Sequence, residues 1–135
     1  IAEKKSLNLF WKFSIDNQGI ISSINFYDSV DESKNEKLLY VPNYQASLTY
    51  FLSMNNHALE IDYLMIGDRV TQYASDYMPK ILSKNFDTIN FAYTFKNKSI
   101  KYGLIFNNIF NEKYQSTYGY PEPLRTFNLT LEYFF

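Results

Sequence analysis

The sequence predicts an all-β fold, an antiparallel up-and-down transmembrane β-barrel segment of about seven strands. Three observations predict it. Apolar and polar residues alternate with period two in seven separate runs, which gives each strand one apolar and one polar face. The connections between runs go short, long, short, long, short, long, as in an outer-membrane barrel with tight turns on one side and long loops on the other. The chain also finishes on Tyr133, Phe134 and Phe135, an ending better suited to a membrane interface than to a fraying, solvated terminus.

The first run, residues 6–16, sets Leu7, Leu9, Trp11, Phe13 and Ile15 against Asn8, Lys12 and Ser14. In residues 20–27, Ile20, Ile24 and Phe26 oppose Ser23 and Asn25. Residues 44–54 set Tyr44, Ala46, Leu48, Tyr50 and Leu52 against Gln45, Ser47, Thr49 and Ser53. Residues 57–67 set Leu59, Ile61, Tyr63 and Met65 against Glu60 and Asp62. The fifth run, 86–96, sets Ile89, Phe91, Tyr93 and Phe95 against Thr88, Asn90 and Thr94, and the sixth, 99–108, sets Ile100, Tyr102, Leu104 and Phe106 against Lys101, Gly103 and Asn107. The last, 125–135, sets Phe127, Leu129, Leu131, Tyr133 and Phe135 against Asn128, Thr130 and Glu132. The pooled apolar faces contain no charge and one plain exception, Ser22. A Lys or Arg on a lipid face costs roughly 2–4 kcal/mol at the midplane, a penalty that enforces such purity.

Alternation by itself fits a soluble β-sandwich equally well. The connections separate the two. Residues 16–19, 55–56 and 97–98 are short and rich in turn formers, whereas 28–43, 68–85 and 109–124 are long. Runs of ten or eleven residues also exceed the usual strand of about 5–6. Seven strands place Ile1 and Phe135 on opposite sides, and a bacterial single-chain barrel has an even strand count. Residues 1–135 are therefore expected to be the C-terminal section of a larger barrel, with the plug and the N-terminal strands elsewhere.

Composition narrows the function. Aromatic residues make up 19% of the 135, and the net charge is −1, so nothing points to a nucleic-acid partner. Cysteine is absent and there is one histidine, which removes disulfide scaffolds, thiol nucleophiles and multi-histidine metal sites. No apolar stretch is long enough for a transmembrane helix. A mean hydropathy of −0.32 does not argue against a barrel, whose polar faces cancel its apolar ones.

The segment Asn107-Asn108-Ile109-Phe110-Asn111-Glu112-Lys113-Tyr114, then residues 118–127 with Tyr120, Pro121, Pro123, Arg125 and Phe127, then the terminal alternating strand, resembles the C-terminus of TonB-dependent outer-membrane receptors. Tyr40-Val41-Pro42 and Gly67-Asp68-Arg69-Val70 are similar in order and spacing as well. Leu124 departs from the pattern, which usually has Gly there. The resemblance covers essentially the whole chain and is closest to the siderophore and cobalamin branch. It implies a barrel of about 22 strands with a plugged lumen in the outer membrane of a Gram-negative bacterium. It also implies energised uptake of a scarce large solute, such as a ferric siderophore or otherwise cobalamin, haem or a glycan. The implied partners are outer-membrane lipid, the rest of the barrel and plug, the TonB complex acting through the plug, and the barrel-assembly machinery. No enzymatic activity, catalytic residue, metal or cofactor is expected.

The candidate residues fall into three groups. Tyr73 and Tyr77 in one long loop, and Tyr114, Tyr118 and Tyr120 in another, offer rigid amphipathic surface for a planar solute. Girdle or loop packing accounts for these tyrosines equally well. Lys12, Glu60, Asp62, Asn90, Lys101, Asn128 and Glu132 are expected to line the lumen and face the plug. Phe127, Leu129, Leu131, Tyr133 and Phe135 form the expected assembly signal, since strand addition reads backbone edges and alternate side chains. His57 reads as a solvated turn residue, and Glu60 with Asp62 as wet lumen groups rather than an acid–base pair. Asn107, Asn108 and Asn111 read as backbone-shaping amides, and Arg125 as an architectural residue paired with a carboxylate. The rival functions are a soluble binding sandwich, a porin-like barrel and a small outer-membrane enzyme.

Overall fold

The computed structural model describes residues 2–135; Ile1, placed by strand parity on the long-loop side, lies outside them. The strands are β1 (Ala2–Ile15), β2 (Gln18–Asp31), β3 (Glu36–Lys37), β4 (Tyr44–Met54), β5 (His57–Ile66), β6 (Arg69–Gln72), β7 (Ile81–Ser83), β8 (Phe86–Lys96), β9 (Ile100–Asn107) and β10 (Thr126–Tyr133). Seven long strands form one antiparallel sheet in the order β1-β2-β4-β5-β8-β9-β10, with β3 added to β2. β6 and β7 form a separate hairpin.

The up-and-down order and the short–long alternation are those expected. Two corrections concern the first hairpin. Its turn is Asp16-Asn17 alone, with Gln18 and Gly19 already in β2, and the pair runs from Ala2↔Asp31 to Ile15↔Gln18. The ends carry charge on both faces (Glu3, Lys4, Lys5, Asp28 and Asp31), so alternation disappears there while the backbone ladder continues. Asp16 and Asn55 take φ of 50° and 51°, the left-handed geometry that Asp and Asn tolerate better than bulkier residues. β3, β6 and β7 lie inside connections read as loops. They are too short to show a period, and Arg69, Val70 and Thr71 are buried in succession.

Directly opposed residues share a face of the sheet, so register defines rows. One apolar row crosses all seven long strands as Phe13, Ile20, Tyr50, Ile61, Phe91, Phe106 and Phe127. Below it run Leu52, Leu59, Tyr93, Leu104 and Leu129. No described residue covers this face: Leu129 and Leu131 are 65% and 74% exposed. A sandwich would have packed these rows against a second sheet. Here the only buried apolar residues among those described are Val70 and Phe86, both at the end of the long connections.

Candidate functional site

The opposite face carries the candidate lumen residues. Lys12, Ile21, Thr49, Asp62 and Asn90 share one row, and Glu60 shares the next with Phe51, Ala92, Ile105 and Asn128. Lys96, Lys101 and Glu132 form a third row at the short-turn rim. The sheet therefore brings all seven candidates (Lys12, Glu60, Asp62, Asn90, Lys101, Asn128 and Glu132) to one face. Thr49 Oγ1 donates to Asp62 Oδ1 at 2.6 Å, and Lys101 Nζ meets Glu132 Oε1 at 2.9 Å. Asn90 Oδ1 accepts from the backbone N–H of Asn108 at 2.9 Å, tying this face to the loop above.

This face is also less polar than alternation implied. Phe10, Ile21, Phe51, Leu64, Ile66 and Ile105 share it. The opposed lists built from Ser, Asn and Thr passed over them.

At the long-loop end, the segments that carried the family resemblance converge. Tyr40 donates its backbone N–H to Val70 at 2.7 Å, and Asn43 donates to Asp68 at 3.1 Å. Gly67 is closely approached: an added Cβ would run into Asn43 Oδ1 and stand 2.7 Å from the Tyr44 ring, so both side chains would have to shift. Arg69 is 5% exposed. Its Nη2 donates to the carbonyls of Gln115 and of Ser116, the latter at 3.3 Å. The guanidinium lies 5.3 Å over the Phe86 ring, which stacks on Tyr114 at 4.2 Å. Burial lowers the Arg69 pKa, though a guanidinium keeps its charge. Burial, then the Glu122 carboxylate, raise that of Tyr114. Sequence reasoning did not single out Arg69 as a site residue. Its signal was a charge next to Val70 in a run too short for periodicity.

The tyrosines divide. Tyr114 is half-buried in this stack and Tyr73 lies under Lys34 Nζ at 4.3 Å, so loop packing already uses both. Tyr77, Tyr118 and Tyr120 are exposed, Tyr77 at 94%. Tyr114 and Tyr118 line a cleft of about 400 Å³ with Ser83, Lys84, Asn85 and Gln115, within the size of small-molecule sites.

Arg125 falls differently from expectation, and His57 keeps its place at the short-turn rim in unexpected company. His57 begins β5 on the apolar face. Its Nδ1 lies 2.7 Å from Tyr93 Oη and its ring 4.9 Å from that of Phe95, so it joins an aromatic cluster at the short-turn rim. Arg125 makes no ion pair among the described residues; its backbone N–H donates to Asn111 Oδ1 at 3.0 Å. Asn108 and Asn111 take φ of 51° and 59°. Asn108 Nδ2 donates to Glu112 O at 2.8 Å and its Oδ1 accepts from Glu112 N–H at 2.8 Å. Asn107 Nδ2 donates to Thr126 Oγ1 at 3.0 Å, so all three amides shape the loop.

Phe127, Leu129, Leu131 and Tyr133 share the apolar face of β10, an edge strand of the sheet. The Phe135 ring meets that of Tyr133 edge-on at 5.1 Å.

No known family profile matches the chain, and no curated relative does. Solved structures resemble it in fold. A chain described as the copper transporter OprC aligns over 96% of this chain with a TM-score of 0.77 and 15% identity. A chain of the FpvAI–pyocin S2 complex aligns over 96% with a TM-score of 0.82 and 12% identity. The aligned part spans only 23% and 20% of those chains, about a fifth of each.

Proposed function

We propose that this chain is the C-terminal section of the barrel of a TonB-dependent receptor in a bacterial outer membrane. It supplies seven of about 22 strands. The observation that carries the reading is the apolar row spanning all seven strands with none of the described residues packed over it. Water cannot favour so large a continuous apolar surface, whereas hydrocarbon can. The fold likeness to much larger chains, one of them a copper transporter, supports the same reading.

In this reading the unpaired edges of β1 and β10 join the remaining strands, since open edges in lipid leave backbone groups unsatisfied at several kcal/mol each. The polar face meets the plug, through which the TonB complex supplies the driving force. Edge strand β10, with Phe127, Leu129, Leu131, Tyr133 and Phe135, is read by the barrel-assembly machinery. The long-loop end, with the Tyr114–Tyr118 cleft and exposed Tyr77 and Tyr120, contributes to solute capture. A ferric siderophore is the leading solute, with cobalamin, haem or a glycan as alternatives. The chain catalyses no reaction.

The test uses the full-length parent in its host. It should fractionate with the outer membrane, and its disruption should abolish proton-motive-force-dependent uptake of at least one labelled ferric siderophore. Recovery in the soluble fraction without detergent would refute the barrel reading, and uptake that survives collapse of the proton-motive force would refute the energised one. Deleting Phe135 should lower surface levels of the parent, while normal levels would count against the assembly role.

A further inference from the structure

We propose that the His57–Tyr93 pair and the trough beside it seat one phospholipid from the membrane leaflet at the short-turn end. The phosphodiester meets the pair, and an acyl chain lies in the trough. The proposal rests on the barrel reading above.

The pair stands where the apolar face ends. His57 is exposed and opens β5, in the row Met54–His57–Phe95–Tyr102. The next row inward is Leu52–Leu59–Tyr93–Leu104. Leu52, Met54, His57, Ala58, Leu59 and Tyr93 line a trough of about 400 Å³ across these rows. Its rim end is polar through His57 and its inner walls are aliphatic. Such a seat changes character along the strand in the same direction as a lipid does, from headgroup to chain.

Hydrogen bonding selects the headgroup atom. His57 Nδ1 and Tyr93 Oη lie 2.7 Å apart. A neutral imidazole carries one N–H and a phenol one O–H. Joining the two groups uses one of these donors and leaves the other unspent, whichever tautomer is present. The side chains that face the pair from β4 (Leu52, Met54), β5 (Leu59), β8 (Phe95) and β9 (Tyr102) include no carboxylate to accept it. Lys98, in the turn after β8, adds a cation at the same rim. A free donor near a cation suits an anionic oxygen, and at a membrane surface lipid headgroups supply anionic oxygens.

Other occupants fit less well. No group of three metal-ligating side chains exists among the described residues. A captured solute arrives at the long loops, the opposite end of the sheet. Strand β5 has ten residues, roughly 33 Å at ordinary rise, so a headgroup of the far leaflet does not reach His57.

The experiment adds phosphatidylglycerol to the full-length parent in detergent and counts retained lipid by native mass spectrometry. One phosphatidylglycerol should stay bound per barrel, while diacylglycerol with the same chains is lost. His57→Phe keeps a ring and removes the donor, and should weaken retention about tenfold, the scale of one hydrogen bond to a charged acceptor. Tyr93→Phe should weaken it by less, since the imidazole N–H survives. Trp11→Phe, on the same face three strands away, should leave it unchanged. Equal retention of diacylglycerol, indifference to His57→Phe, displacement by inorganic phosphate, or a lipid-free dimer overturns the proposal. Heat-modifiable gel migration, read on every variant, shows whether the barrel has formed. A heat-modifiable barrel that retains no phosphatidylglycerol refutes the lipid seat alone, and a soluble, non-modifiable protein refutes the barrel reading beneath it.

Discussion

Along the sheet, Leu129 and Leu131 stand 65% and 74% exposed, whereas at the rim a charged side chain, Arg69, is 5% exposed. The two regions invert the usual rule that apolar groups hide and charges show. The sheet is ordered by backbone pairing and leaves its apolar rows facing outward. The rim is ordered by specific bonds: Arg69 to carbonyls, Asn108 to Glu112, Tyr40 to Val70. In the proposed barrel this contrast means that one short chain meets two solvents. There the sheet would depend on an external apolar phase, and the rim would carry its own small core because it sits where water is available.

The largest predicted effect breaks this comparison if it fails. Leu104 and Ile105 are neighbours near the middle of β9 and point to opposite faces. In the full-length parent unfolded reversibly from bilayers, Leu104→Arg should destabilise by about 2–4 kcal/mol and Ile105→Arg by clearly less. Equal effects would erase the distinction between the faces. Next, Arg69→Ala removes hydrogen bonds from a charged donor, each worth about 1.5–3 kcal/mol. Hydrogen exchange should quicken in residues 109–124 and stay unchanged in β4 and β5. Spread of that exchange through the ladder would mean that rim and sheet are one cooperative unit.

Gly67→Ala should cost about 1–3 kcal/mol through overpacking against Asn43 and Tyr44, read as faster exchange where 40–43 meets 67–70. A smaller effect is set by pH. The Tyr114 pKa is raised in the folded protein, so its packing is intact below the ordinary phenol value of about 10. It weakens as pH climbs from there through the higher folded value, because only the released loop ionises freely. Ultraviolet titration should show a late-ionising component that shrinks by one tyrosine in Tyr114→Phe. The smallest effect belongs to Lys101–Glu132, half-exposed on the polar face. A double-mutant cycle should return less than about 1 kcal/mol.

The sheet was legible because a strand with two different solvents must alternate. β4 and β8 span the residues the pattern predicts, and the tight turns fall where Asp16, Asn17, Asn55 and Asn56 stand. The charged extensions of β1 and β2 were not legible, since backbone pairing there needs no apolar side chains. The rim was legible only in part. Tyr114 was noticed for its ring, but its stack needs Phe86 and Arg69, which lie 28 and 45 residues away in sequence, and no local pattern encodes such a meeting. His57 does stand exposed beside its turn, but its neighbours were hidden for a related reason. Residues beside a turn read as wet, while register set this one on the apolar face beside Tyr93.

The strand order has a further geometric consequence. With seven antiparallel strands between its margins, β1 and β10 point the same way, and they offer fourteen and eight residues respectively. Zipping them together would create a parallel seam of unequal halves inside an otherwise antiparallel wall, with slanted and weaker bonds. A strand joining either margin must run opposite to it to keep the ladder antiparallel.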